Sequence, residues 1–160
     1  MKTFAVVGWK NSGKTTLVER LVAHFSGHGL RVATIKHTHH AFLMDREGTD
    51  TDRHRRAGAA QVAMVGSNGW TLASTAPTTL DEMLASLAPC DIAIVEGFKR
   101  SNLPKIEVRA DAHSERLWET DPSVFAVAGE PQEECPLPRF RRDDIAGLAD
   151  AALAALEEPA

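Results

Sequence analysis

The sequence predicts an α/β fold of the P-loop NTPase type, with a mainly parallel sheet flanked by helices and an antiparallel hairpin as an extension. Two observations support this prediction: apolar strand-like runs alternate with helical segments, and the first strand runs into a loop with phosphate-binding spacing. The chain has 160 residues, 43% apolar and 25% charged, which is typical of a globular protein. Residues 1–160 are therefore interpreted as a single P-loop nucleotide-binding domain.

The loop between the first strand and the first helix is the most informative stretch. Residues 3–7 are mostly apolar, and residues 8–15 read Gly-Trp-Lys-Asn-Ser-Gly-Lys-Thr, the spacing G-x-x-x-x-G-K-[ST]. Apolar side chains then recur at helical spacing from Leu17 to Phe25. A glycine loop at a helix N-terminus offers backbone N–H groups to a phosphate. The sequence therefore predicts a nucleotide-phosphate site here.

Each side chain of this loop has a predicted role. Lys14 places its charge on the β- and γ-phosphates, and the Thr15 hydroxyl reaches a Mg²⁺ ion. Lys14 also counts as a candidate catalytic residue, because phosphoryl transfer depends on neutralising that charge. The predicted phosphate-binding residues of the loop are Gly8, Asn11, Ser12, Gly13, Lys14, Thr15 and Thr16.

The next segments follow from periodicity and turn chemistry. The first helix ends near Gly29, and residues 31–35 form a second strand, which completes a βαβ unit. Residues 51–57 predict a short polar helix that Asp50 or Thr51 caps. The other predicted elements are a hairpin of strands 62–65 and 70–73 joined through residues 66–69, which contain an Asn-Gly turn signal, a helix at 79–87 capped by Thr79, strands at 92–95, 105–109 and 124–128, and a last helix at about 143–156.

Glu96 directly follows the apolar strand 92–95, where P-loop proteins often place an acid that holds Mg²⁺. The alternative is a solvated carboxylate at the end of a strand; the P-loop favours the metal role. Asp91 opens the same strand, so it lies at the opposite edge of the sheet and is expected to be structural. The predicted metal ligands are thus Thr15 and Glu96.

A histidine-rich cluster, Lys36-His37-Thr38-His39-His40, follows the second strand, at the edge where open α/β sheets bind ligands. The imidazoles of His37, His39 and His40 suit a transition metal. With Lys36 they also suit a phosphate or an anionic pterin, and a solvated loop is the third interpretation. Lys36 and the three histidines are therefore candidate cofactor-binding residues.

Acidic and basic side chains between the second strand and the hairpin are further candidates. Asp45 and Asp50 are candidate catalytic residues that orient water, although any acid of this region also suits a turn cap. Arg53, Arg55 and Arg56 are expected either to face an acidic ligand or partner or to form a solvated face. Glu130, after the last strand, is a candidate acceptor for the N1–H and N2–H₂ donors of a guanine base.

Composition narrows the function classes. A net charge of −4 argues against a dominant nucleic-acid footprint. No apolar run approaches the roughly 20 residues of a membrane span, and no leader segment is recognisable. Cys90 and Cys135 form no CxxC pattern, which predicts free thiols and a cytoplasmic protein.

A succession of short motifs resembles the molybdopterin-guanine dinucleotide biosynthesis protein B (MobB) family. After the P-loop come Ile-Lys-His-Thr-His-His at 35–40, Arg-Ala-Gly-Ala at 56–59, Val-Glu-Gly-Phe-Lys at 95–99 and Pro-Lys-Ile at 104–106. The likeness covers nearly the whole chain, and the Lys-His-Thr-His-His block at 36–40 together with the Val-Glu-Gly-Phe-Lys block at 95–99 is much more specific than the P-loop alone. Two positions depart from the family pattern: Glu130, where Asp is common, and Thr49, where Lys is common.

The resemblance implies a Mg²⁺-dependent, GTP-binding homodimer with weak or no GTPase activity. Such proteins act as adapters for the guanylyltransferase partner that joins molybdopterin to GMP, with molybdopterin itself as a further ligand. Two alternatives remain: a P-loop small-molecule kinase, which needs an acceptor pocket, and a metallochaperone NTPase that uses the histidines. The predicted hairpin offers a surface for dimerisation.

Overall fold

The structure, a computed structural model, describes residues 1–38, 45–110, 115–129 and 135–157. The chain divides into two compact units. The first, here called the sheet unit, consists of Met1–His37 and Met83–Ala160, and the second, here called the insertion, is Thr38–Glu82. The assignment of residues 1–160 to one domain stays a prediction.

The order of elements follows the predicted alternation of strands and helices. In chain order the elements are β1 (Lys2–Val7), α1 (Lys14–Gly27), β2 (Val32–Lys36), α2 (Asp50–Arg56), β3 (Gln61–Gly66), β4 (Gly69–Ser74), α3 (Leu80–Ser86), β5 (Ile92–Glu96), β6 (Lys105–Val108), a 3-10 helix (Leu117–Glu119), β7 (Val124–Ala128), β8 (Arg139–Phe140) and α4 (Ile145–Ala155). None of the helices in the described ranges is long and apolar enough to cross a membrane.

The sheet unit contains a six-stranded sheet in the order β2-β5-β1-β6-β7-β8, and each pair of neighbours in it is parallel. Helix α1 buries its apolar stripe in the core, including Leu17, Leu21 and Phe25. Helix α4 lies beside α1 and buries Leu148 and Ala152. Each large apolar side chain removed from water in this way contributes about 1.5–3 kcal/mol, so the core fixes the P-loop strand at the centre of the sheet.

The register of three neighbouring strands brings polar residues to one edge. Val6 of β1 pairs with Glu96 of β5, and Glu96 pairs in turn with Lys36 of β2. Because the strands are parallel, their carboxyl ends lie side by side next to the loop that follows β1. This edge carries the candidate functional site.

Helix α2 of the insertion begins one residue earlier than predicted. Its N-cap is Thr49, whose hydroxyl accepts a 3.4 Å hydrogen bond from the Asp52 N–H, so the prediction of Asp50 or Thr51 as the cap was wrong. Asp52 is buried and accepts from the Gly48 N–H at 3.0 Å and from Arg56 Nε at 2.9 Å. The buried acid closes the turn before the helix, which moves the cap to Thr49.

The antiparallel hairpin is confirmed. Strands β3 and β4 pair from Gln61↔Ser74 to Gly66↔Gly69, so Ser67 and Asn68 form the two-residue loop. Directly paired residues share a face. Val65, Trp70 and Leu72 consequently lie on one face, and their side chains are 83%, 70% and 54% exposed.

The structure contains two short elements that were not predicted from the sequence, and it confirms one predicted helix cap. Strand β8 has two residues and the 3-10 helix has three, too few for a periodic pattern. Helix α3 is capped as predicted. The Thr79 hydroxyl accepts from the Glu82 N–H at 3.2 Å, and the Thr79 N–H donates to the Glu82 carboxylate at 2.8 Å.

Candidate nucleotide-binding site

The loop at residues 8–15 folds through three residues with positive φ: Gly8 at 151°, Asn11 at 63° and Gly13 at 95°. Gly13 is the N-cap of α1, and among the described residues no side chain makes a capping hydrogen bond to the start of this helix. The first N–H groups of a 14-residue helix are thereby left to bind an anion, with the positive end of the helix dipole behind them.

Ser12 and Gly8 show how closely the loop is packed. Ser12 is 3% exposed, and its Oγ has no hydrogen-bond partner among the described residues. A Cβ at Gly8 would overlap the Val108 carbonyl oxygen of β6 and lie 2.7 Å from Ser12 Oγ. A buried hydroxyl without a partner is unfavourable, and a phosphate oxygen would satisfy it. The loop therefore fits a phosphate group.

Lys14 lies at the first position of α1, and its Nζ donates a 2.6 Å hydrogen bond to the Trp9 carbonyl oxygen. Burial and, next, the nearby Lys99 ammonium lower the pKa of Lys14, and Glu96 opposes this shift. A phosphate is a stronger acceptor for an ammonium group than a carbonyl. Lys14 is thus positioned to exchange its carbonyl partner for a phosphate.

The two predicted metal ligands are in contact. Thr15 Oγ1 donates a 2.8 Å hydrogen bond to Glu96 Oε1, and Glu96 is 8% exposed. Lys36 Nζ lies 3.1 Å from Glu96 Oε1 and 3.2 Å from Thr15 Oγ1. The carboxylate and hydroxyl oxygens suit Mg²⁺, and the ammonium group of Lys36 already contacts both of them.

The remaining predicted site residues are only partly brought together. The His37 ring packs on Phe98, with 4.4 Å between ring centroids, next to the Glu96 strand end. In the insertion, Asp45 accepts from the Thr51 hydroxyl and from the Arg46 N–H. Exposed Asp50 lies 3.7 Å from Arg53. Three further candidates lie outside the described residues: His39, His40 and Glu130.

Metal binding by the histidine cluster is not decided by the described residues. Within residues 1–38, 45–110, 115–129 and 135–157, no group of three or more His, Cys, Asp and Glu side chains is arranged to hold a metal ion. The transition-metal interpretation depends on His39 and His40, which fall outside these ranges. That interpretation stays a prediction.

A cavity of about 360 Å³ opens beside the start of α1, within the sheet unit. Its walls come from α1 and from the segment that precedes α4: Gly13, Thr16, Leu17, Arg20, Arg141, Arg142 and Asp143. The Arg141 guanidinium holds Asp143 at 3.0 Å and lowers the pKa of that carboxyl by hydrogen bonding. The volume falls within the range of small-molecule sites, and the lining is mainly polar and charged, with three arginines.

Comparison with known families decides what this arrangement belongs to. A family model described as molybdopterin guanine dinucleotide synthesis protein B (MobB) matches residues 3–130. The chain belongs to the MobB family. The resemblance predicted from the sequence is confirmed.

Curated MobB-family relatives match over most of their length. The molybdopterin-guanine dinucleotide biosynthesis adapter protein of Escherichia coli is 34% identical over 154 residues, which cover 91% of this chain and 88% of the relative. The protein with the same description from Haemophilus influenzae is 35% identical over 127 residues, covering 77% and 71% of the two chains.

Solved MobB structures share the architecture. The crystal structure of Bacillus subtilis MobB superposes with a TM-score of 0.78 at 28% identity, covering 99% of this chain and 100% of the other. The MobB homologue from Bacillus stearothermophilus gives 0.73 at 30% identity, covering 96% and 99%. The predicted P-loop NTPase-like fold is confirmed.

The MobB-family chain also buries charged residues of and next to β6, beside the P-loop, which the sequence analysis assigned only to a strand. Glu107 and Arg109 are 0% and 7% exposed and lie 3.3 Å apart. Glu107 also accepts from the Trp118 N–H at 3.0 Å, and Arg109 donates to the Glu115 carbonyl at 3.2 Å. One signal in the sequence indicated this burial: Glu107 and Arg109 carry opposite charges two positions apart. A strand that lies between two others is covered on both faces, so its charged residues are expected to pair.

Proposed function

We propose that this chain binds GTP with Mg²⁺ and acts as an adapter in molybdopterin guanine dinucleotide biosynthesis, the role named in its curated relatives. The observation that carries the proposal is the contact between Thr15 at the start of the P-loop helix and Glu96 at the end of β5. It joins a phosphate-binding loop to an acid of the kind that holds a nucleotide's metal ion.

The residues present fit Mg²⁺. Thr15 and Glu96 would hold the ion, which when bound neutralises charge on the β- and γ-phosphates. Lys36 contacts both ligand atoms, so we infer that its ammonium group leaves them when the ion is held directly. Lys36 then supplies positive charge to the phosphates from the neighbouring strand.

Different residues are proposed to bind the phosphates and the nucleoside. The N–H groups at the start of α1 and the Ser12 hydroxyl bind phosphate oxygens, and Lys14 neutralises their charge. The cavity beside Gly13 and Thr16 takes the nucleoside end, with Asp143 and Arg141 offering acceptors and donors to a base. Glu130 remains a proposed reader of the guanine edge.

Turnover is expected to be slow. Asp45 and Asp50 stay proposed water-orienting residues, and both side chains are occupied by local partners in the insertion. An adapter needs to hold the nucleotide for its partner, and slow hydrolysis serves that purpose. The proposed partners are a molybdopterin guanylyltransferase and molybdopterin, and the proposed location is the cytoplasm.

We propose a homodimer formed through the hairpin. The face that carries Val65, Trp70 and Leu72 is highly exposed for such large apolar residues. A two-stranded hairpin is marginal by itself, and pairing with a second copy would cover this face.

Calorimetric titration tests the nucleotide assignment. Wild-type protein is titrated with GTP and with ATP in Mg²⁺, and Lys14→Ala is titrated in parallel. The proposal expects GTP to bind more tightly than ATP and Lys14→Ala to lose at least about tenfold in affinity, because a charge-assisted contact is removed. A clear ATP preference contradicts the guanine assignment, and unchanged affinity in Lys14→Ala contradicts the role of the P-loop.

The adapter role has its own assay. A molybdopterin guanylyltransferase is supplied with molybdopterin and GTP, and formation of the dinucleotide is followed with and without this chain. Wild-type protein should raise the yield, and Lys14→Ala should not. Transfer of the γ-phosphate to a small acceptor instead would favour the kinase alternative.

A further inference from the structure

Lys99 follows Glu96 through a tight bend. Gly97 and Phe98 both have positive φ, at 96° and 50°. A left-handed conformation is ordinary for glycine but unfavourable for a phenylalanine, and such strain is retained where the surrounding structure enforces it. The bend turns the chain sharply just after the predicted metal ligand.

Neighbouring groups enforce this bend. The Gly97 N–H donates to the Val6 carbonyl of the P-loop strand at 3.0 Å, and the Phe98 ring packs on His37. A Cβ at position 97 would lie 3.2 Å from the His37 Cβ, so glycine is needed on steric grounds as well. As a result, the bend presents Lys99 to the P-loop.

Trp9 is the point at which Lys99 and Lys14 meet. Lys99 Nζ lies 3.5 Å from the centroid of the Trp9 ring, and Lys14 Nζ donates to the Trp9 carbonyl. The ring itself is oriented by a 2.7 Å hydrogen bond from Trp9 Nε1 to the Glu115 carbonyl. Two lysines from different parts of the chain are thus held on one residue of the phosphate loop.

Bringing two ammonium groups together is unfavourable unless an anion joins them. Within the described residues, neither Lys14 nor Lys99 makes an ion pair with a carboxylate. A phosphate chain in the loop would relieve this repulsion.

We propose that Lys99 binds the terminal phosphate of the nucleotide held by the P-loop, moving from the face of Trp9 to the γ-phosphate. This inference rests on the proposed function, since it needs a nucleoside triphosphate in the loop. Lys99 then distinguishes GTP from GDP by its contact with the γ-phosphate, while Lys14 and the backbone N–H groups also bind the β-phosphate that GTP and GDP share. A cation–π contact is weak enough to be exchanged for a charge-assisted phosphate contact.

Affinities for a GTP analogue and for GDP separate this role from a structural one. Wild type, Lys99→Gln and Lys99→Arg are titrated with the non-hydrolysable analogue that has NH between the β- and γ-phosphates, and with GDP. Lys2→Gln is the matched control. It removes the same charge at the opposite end of β1, where Lys2 pairs with Glu157.

Lys99→Gln should bind the analogue at least about tenfold more weakly, with GDP affinity changed less than threefold. Lys99→Arg should retain most of the preference for the analogue over GDP. Lys2→Gln should bind both nucleotides with wild-type affinity. Trp9 emission, obtained as the difference between wild type and Trp9→Phe, should change with the analogue in wild type but not in Lys99→Gln. This difference is needed because the chain has three tryptophans.

The outcomes are distinguishable. If wild type binds neither nucleotide, the proposed function itself fails. If wild type binds both and Lys99→Gln binds each of them as tightly as wild type does, or loses the same factor in affinity for each, the terminal-phosphate role of Lys99 is overturned while the P-loop assignment stands.

Discussion

Thr15 Oγ1 donates a 2.8 Å hydrogen bond to Glu96 Oε1 across 81 positions of sequence. The contact exists because β1 and β5 are neighbours in register and the P-loop helix starts directly above their carboxyl ends. An acid held in this way is rigid before any ion arrives, which reduces the ordering required on binding.

Glu96→Gln tests this relationship. The substitution keeps the size of the side chain and removes its charge, so Mg²⁺-dependent GTP affinity should fall about tenfold or more. Affinity in EDTA should change less than twofold, because the loop and Lys14 remain. Calorimetry in the two conditions gives both values. Glu157→Gln, at an exposed ion pair with Lys2, is the control, and an equal loss in EDTA would contradict the metal role.

Gly8→Ala should destabilise the protein by more than about 2 kcal/mol, because it combines a strained φ with overlap against the Val108 carbonyl. Gly29→Ala is the matched control, with φ at 81° and no atom within 4 Å of the added Cβ. It should lose only about 1 kcal/mol. Urea unfolding without nucleotide measures both. Equal losses would show that the close approach at Gly8 is unimportant.

The ion pair between Asp91 and Arg31 is expected to make folding stability depend on pH in the acidic range. Its carboxylate accepts from Arg31 N at 2.8 Å and Arg31 Nη2 at 2.9 Å, and these hydrogen bonds lower the pKa of Asp91 to about 2. Because the pKa of Asp91 is lower in the folded state, its carboxylate stabilises the fold at pH values above the unfolded pKa of about 3.9. This contribution is lost as the pH falls from there through about 2. Asp91→Asn should therefore be less stable than wild type at pH 7.

The same variant should approach wild-type stability as the pH falls from about 4 to about 2. Chemical unfolding followed by circular dichroism across this range checks it. Asp150→Asn, at an exposed position of α4, is the control and should show no such convergence. A constant difference between Asp91→Asn and wild type down to pH 2 would contradict the assignment.

The hairpin prediction concerns oligomeric state. Replacing Trp70 and Leu72 by serine removes most of the apolar area on one hairpin face, so the proposed dimer should dissociate at micromolar concentration. Sedimentation velocity measures this. Met64→Ser, on the opposite face, should leave the dimer intact. A double variant that remains dimeric would place the interface elsewhere.

Local patterns allowed much of the fold and the centre of the site to be predicted. The P-loop spacing, the apolar strand before Glu96 and the Asn-Gly hairpin each depend on residues close in sequence. The contact between Lys36 and Glu96 needs the strand order β2-β5-β1, which no local pattern gives. The approach of Lys99 to Trp9 needs, in addition, a left-handed phenylalanine that the sequence would disfavour.

The buried charges of β6 show the same limit. Lys105 is 1% exposed and lies 3.0 Å from Asp121, so a strand in which charged and apolar residues alternate is buried at every position. When polar and apolar residues alternate along a strand, the polar residues usually face solvent. In β6 they are instead buried and paired with opposite charges. Burial of such residues is decided by their partners, which come from later in the chain.

The insertion contributes no described strand to the six-stranded sheet. Its hairpin is a separate two-stranded sheet, and the P-loop, Lys36 and Glu96 all belong to the other unit. Natural variation in residues 38–82 can consequently alter contacts with other molecules without shifting the strand register that aligns Glu96 with the P-loop. Chimeras that exchange this segment between relatives would therefore separate inheritance of phosphate binding by the P-loop from inheritance of partner choice.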